Sequence, residues 1–126
     1  MPAPVFTRKA PTPAGHYSQA IVHSRTVYVA GQLPIDPLTG QKNLGSIEEQ
    51  AEQALKNVAA VLEAAGSDLA HVLKLTVYLS DIEQWGTVDA VCASCFGAHK
   101  PARSIVPTQE LHHGFKIEID AVAAVC

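Results

Sequence analysis

Ser46-Ile47-Glu48-Glu49-Gln50-Ala51-Glu52-Gln53-Ala54-Leu55-Lys56-Asn57-Val58-Ala59-Ala60-Val61-Leu62-Glu63-Ala64-Ala65-Gly66 leads, after a short polar link, into Val72-Leu73-Lys74-Leu75-Thr76-Val77-Tyr78-Leu79. The first run opens on a capping box, Ser46 with Glu49 three residues on. Ile47, Ala51, Ala54, Leu55, Val58, Val61, Leu62 and Ala65 then recur at helical spacing, and Gly66 stands where a helix ends. The second run alternates, with Leu73, Leu75, Val77 and Leu79 on one side and Lys74, Thr76 and Tyr78 on the other, which is a strand with one apolar face. An amphipathic helix feeding such a strand must lie on that face.

Upstream, Gln19-Ala20-Ile21-Val22 and Thr26-Val27-Tyr28-Val29-Ala30 are rich in β-branched residues and predict a hairpin across the polar turn His23-Ser24-Arg25. Gly31 to Gly40, with two prolines and an Asp-Pro-x-Thr-Gly turn, predicts a loop throughout. Met1 to Gly15 carries four prolines and predicts an arm lying on a neighbouring subunit, with one short edge strand near Val5. Downstream, Asp81-Ile82-Glu83-Gln84 opens a second helix whose stripe is Ile82, Trp85, Val88, Val91, Cys92, Cys95 and Phe96, ended by Gly97. Arg103 to Val106 and Lys116 to Val122 predict two further strands. The expected order β-β-α-β-α-β-β describes an α+β domain spanning residues 1–126, with a mixed β-sheet and both helices on one face.

With 126 residues, 48% hydrophobic and 17% charged, the chain fits one globular domain whose surface is sparsely charged. Lys74, Thr76, Tyr78, Glu118 and Asp120 share the sheet face away from the helices. In so lightly charged a chain, that face predicts contact with other subunits and clefts between them. A formal charge of −3 argues against a nucleic-acid partner. No apolar run approaches the ~20 residues of a membrane helix. Three cysteines and no secretory signal predict reduced thiols and a cytoplasmic location.

Few side chains carry chemistry. His112 and His113 are adjacent and lack a ligand-spaced partner, so no metal is expected. Cys92 and Cys95 lie late in a helix and read as core packing instead of a redox pair. No phosphate-binding or nucleophile-elbow motif is present. Arg103 brings a guanidinium to a strand start, where it could grip a small acid bidentately or pair with a helix carboxylate of its own chain. Glu118, on the face away from the helices, could act as general acid/base if partial burial raises its pKa, or be structural.

Gly15-His16-Tyr17-Ser18-Gln19-Ala20, Val29-Ala30-Gly31-Gln32-Leu33-Pro34-Ile35-Asp36-Pro37, Pro101-Ala102-Arg103-Ser104 and Ile117-Glu118-Ile119 together resemble the YjgF/RidA family of reactive-intermediate deaminases. The resemblance implies a chorismate-mutase-like fold and a homotrimer whose sheets line a central barrel, with ligand clefts between subunits. It implies hydrolysis of reactive 2-imino or enamino acids to 2-oxo acids and ammonia, a hydrolase reaction at C=N bonds without a cofactor. It assigns Arg103 to the substrate carboxylate, Glu118 to the attacking water and Tyr17 to the cleft, with Gly31 lying against the ligand. Ala30, Asp89 and Ile105 fall at further substrate-binding positions. His16, Ala30, Asp89, Cys92, Ile105, Gln109 and His112 depart from the commoner residues of the family. Two other readings stand beside the enzyme: a non-catalytic binder of small carboxylates, and an endoribonuclease or translation inhibitor, which the charge disfavours.

Overall fold

The computed structural model describes residues 1–126 and contains one six-stranded mixed sheet. The strands are β1 (Ala3–Val5), β2 (Ala20–His23), β3 (Thr26–Gln32), β4 (Val72–Leu79), β5 (Ala102–Pro107) and β6 (Ile117–Ala124). Their spatial order is β1-β2-β3-β6-β4-β5, antiparallel at every pairing except β4 with β5. Helices α1 (Ile47–Ala64) and α2 (Trp85–Phe96) pack on each other, and α1 lies on β3 and β6. The α+β class and the second-face polarity expected from the sequence are both present. No helix is long and apolar enough to cross a membrane.

The last strand in the chain occupies the centre of the sheet because of its alternation. Ile117, Ile119, Ala121 and Ala123 are buried toward the helices, while Glu118, Asp120, Val122 and Ala124 are half-buried on the other face. Val58, Val61 and Leu62 of α1 and Leu75, Val77 and Leu79 of β4 complete the core. Only half of the capping box forms: Ser46 Oγ accepts from the Glu49 amide at 3.2 Å. The Glu49 carboxylate folds over Gly45, where a Cβ would collide with it.

Several local expectations change. Leu73 is 53% exposed, because a register shift between Val72 and Lys74 turns Val72 inward in its place. Gly31 and Gln32 belong to β3 and not to the loop, with an extra residue on β3 opposite β6 that lets Gln32 pair with Ile119. The hairpin turn is two residues long, with Ser24 and Arg25 at φ 50° and 62°, the left-handed region that a tight β-hairpin demands. Of the α2 stripe, only Val88, Val91 and Cys92 are buried, and Ile82, Trp85 and Cys95 are exposed. The N-terminal arm lies on its own chain: β1 pairs with β2, and the buried Gln19 side chain holds the arm. Its Nε2 donates to Thr7 O, Ala10 O and Pro11 O, and its Oε1 accepts from the Thr7 amide.

Candidate functional site

Two clusters of chemistry emerge, one on each face of the sheet. Arg103 pairs in register with Leu75, so it sits on the helix face of the outer strand β5, opposite α2. Its Nη1 donates to Asp89 Oδ1 at 2.8 Å, and its guanidinium carbon lies 5.3 Å from the centroid of the Trp85 ring. Of the two roles open to Arg103 in the sequence, the isolated subunit displays the pairing with a helix carboxylate. The pair borders a cavity of about 490 Å³ lined by Leu75, Asp89, Cys92, Phe96, His99 and Arg103. Burial pushes the Cys92 thiol pKa up, with the Arg103 charge acting the other way, so Cys92 is a neutral packing group here. Ile105, two residues beyond Arg103 on the same face, packs against the core.

The second cluster is on the opposite face, where β3 and β6 meet. Gly31 approaches the Glu118 carboxyl so closely that a Cβ at residue 31 would overlap it. The backbone around Gly31 is held tightly: Ala30 N donates to Gln19 O at 2.9 Å, and Gln32 Nε2 donates to Ala30 O at 3.2 Å. Burial raises the Glu118 pKa, the Asp120 charge raises it further, and His112 opposes both. No cation pairs with Glu118, since the ion pairs of the chain are Asp68 with His71 and Arg103 with Asp89. Asp120 accepts from Tyr78 Oη at 3.2 Å, and its charge raises the Tyr78 pKa, keeping that hydroxyl protonated. A half-buried acid with a raised pKa, set against bare backbone, is suited to taking and returning a proton.

Glu118 with Gly31 and Ala30, and Arg103 with Asp89, are thus brought together, but the two groups are not brought to each other. Glu118 pairs in register with Tyr78, and Arg103 with Leu75, whose side chains point to opposite faces. Two strand spacings and three residues also separate them, roughly 14 Å between Cα atoms. Tyr17 joins neither cluster: it is 54% exposed in the N-terminal arm, its Oη accepting from the Ala14 amide. Sequence reasoning missed Trp85 beneath the guanidinium and His99 at the cavity rim. Trp85 had been read as core, and its only distinguishing signal was its place one helical turn before Asp89.

A family model described as endoribonuclease L-PSP matches residues 7–125. A RutC family protein of Pyrococcus horikoshii is 46% identical over 94% of this chain and 94% of its own length. The 2-iminobutanoate/2-iminopropanoate deaminase of Rattus norvegicus is 44% identical over 94% of this chain and 87% of its own. The crystal structure of yeast Mmf1 superposes with a TM-score of 0.96 at 36% identity, covering all of both chains. With sequence motifs, sheet order and near-complete coverage in agreement, the chain belongs to the YjgF/RidA family, the one also described as endoribonuclease L-PSP.

Proposed function

We propose that the protein is a deaminase that hydrolyses reactive 2-imino or enamino acids to 2-oxo acids and ammonia. The observation that carries this reading is Glu118: an unpaired, half-buried carboxyl with raised pKa, held against the glycine backbone of β3. Water adds to C2 of the imine in its protonated, iminium form while Glu118 takes a proton from that water, giving a neutral carbinolamine. Glu118 returns the proton to the nitrogen, the C–N bond breaks with loss of ammonia, and the carbonyl forms as the hydroxyl proton passes back to the Glu118 carboxylate and from there to solvent. Arg103 fixes the substrate carboxylate, and Tyr17 closes the cleft. Ala30, Asp89 and Ile105 line its substrate-binding part.

This division of labour requires more than one subunit, because Arg103 and Glu118 of one chain face opposite ways. A homotrimer that turns its Glu118 faces inward as a barrel, and lays the β5 edge of one subunit beside the β3–β6 junction of the next, supplies such a cleft. The same face carries Asp120 as well as Glu118, and a net charge of −3 gives no attraction for phosphates, which weighs against an RNA substrate.

The test is ammonia and 2-oxo acid release from an imine generated in situ, with and without the protein. Acceleration that is lost in Arg103→Ala and in Glu118→Gln supports the reading. Unchanged rates together with measurable 2-oxo acid binding replace it with a non-catalytic carboxylate binder.

A further inference from the structure

A third cluster lies away from both site halves, where the chain end meets the link between α1 and β4. Asp68 and His71 belong to the 3-10 turn at Leu69–His71 and its cap, and Cys126 follows β6. His71 Nδ1 lies 2.6 Å from Asp68 Oδ1 and 3.5 Å from Cys126 Sγ, and that sulfur is 3.9 Å from Asp68 Oδ2. Backbone holds the cysteine there: Cys126 N donates to Gly66 O at 3.0 Å, Val125 N to Arg25 O at 2.9 Å, and Ser67 Oγ to Ala124 O at 2.6 Å.

Asp, His and Cys in contact suggest a nucleophile with its base, but the geometry is wrong for that. A relay needs the carboxylate on one imidazole nitrogen and the thiol on the other. Here both approach Nδ1, so oxygen, nitrogen and sulfur converge on one point. Convergence is what a cation requires. Tetrahedral zinc with bonds of about 2.3 Å to sulfur and 2.0 to 2.2 Å to nitrogen and oxygen sets ligand atoms roughly 3.4 to 3.6 Å apart. The sulfur-to-nitrogen distance already matches; of the two Asp68 oxygens, Oδ1 must move about 0.8 Å away from Nδ1 to serve as the ligand, whereas Oδ2 must close on the sulfur by a few tenths of an ångström.

We propose that Asp68, His71 and Cys126 form a binding site for a borderline-soft divalent cation of the zinc type, with water as fourth ligand. The mixed sulfur, nitrogen and oxygen set selects against magnesium and calcium, which take oxygen ligands. A bound cation clamps the chain end against the turn that leads into β4. It stands apart from Arg103 and Glu118 and leaves deamination unaffected.

Cobalt(II), titrated into the reduced full-length chain, reads the site directly through the near-ultraviolet thiolate-to-cobalt band. One equivalent per chain is expected, competed away by zinc. Cys126→Ser should abolish the band, and His71→Ala should weaken binding at least 10-fold. Cys95→Ser, which removes the other exposed thiol, and His112→Ala should change neither. The proposal is overturned if no cobalt binds by about 1 mM, a concentration far above the range of built sites. It is also overturned if binding occurs without the band, if the band survives Cys126→Ser, or if it disappears in Cys95→Ser.

Discussion

Gly31 and Glu118 are 87 positions apart in the chain and meet as backbone against carboxyl. The colliding atoms in Gly31→Ala are the far end of a flexible side chain, so the carboxyl swings aside and the fold loses no more than about 1 kcal/mol. On the proposed role of Glu118, its catalytic position is lost instead: kcat should fall at least 10-fold with the melting temperature nearly kept, measured on one preparation. As the proposed base, Glu118 would act only when ionised, and its raised pKa would place the acid limb of kcat/KM above the ordinary carboxylate range. Activity therefore climbs with pH through that limb. Asp120→Asn removes one of the two causes of the shift, and the limb should move to lower pH in a pH–rate profile. Asp89 occupies one nitrogen of Arg103 and, if Arg103 holds the substrate carboxylate as proposed, would repel it. Two like charges some 6 Å apart near a surface cost on the order of 1 kcal/mol once solvent screening is allowed for. Asp89→Asn should then lower KM several-fold with kcat little changed, and a rise in KM would make Asp89 a positioning group for the guanidinium.

At the level of elements, α1 depends on its first turn, and Ser46→Ala should cost about 1 kcal/mol in urea unfolding, since Ser46 satisfies the Glu49 amide. α1, β4 and β6 could be read in the sequence because each has a sustained period that matches its burial. Where one residue is added or a backbone angle is unusual, periodicity misleads. The shift at Val72–Lys74 exposes Leu73, and the extra residue at Gly31 extends β3 into an expected loop. Ser24-Arg25 makes a tight turn without the glycine or asparagine that announces one. The candidate residues could be named from motif, but not which face of the sheet each would take: the register between β4, β5 and β6 sets Arg103 and Glu118 of one chain on opposite faces. The arm's short edge strand near Val5 is present as β1, but its attachment to its own sheet was not legible, because one buried amide, Gln19, makes it through contacts 8 to 12 residues away in sequence.

For the whole molecule, the face bearing Glu118 also presents Tyr28, half exposed, with Thr76, Tyr78, Asp120 and Val122. It is too mixed for a core and too apolar for a solvated surface. Light scattering should give three times the 13.4 kDa of one chain at micromolar concentration, and a persistent monomer would remove the shared cleft and the mechanism with it. The two outer strands of the sheet carry their own consequence. β1 is three residues long and has Pro4 at its centre, and β5 is preceded by Pro101 and ends on Pro107. Proline offers no backbone N–H to an incoming strand. Pro4 interrupts the short β1 and Pro101 and Pro107 bound β5, so each border of the sheet gives an incoming strand only a short run of backbone donors, which works against edge-to-edge polymerisation of the single chain.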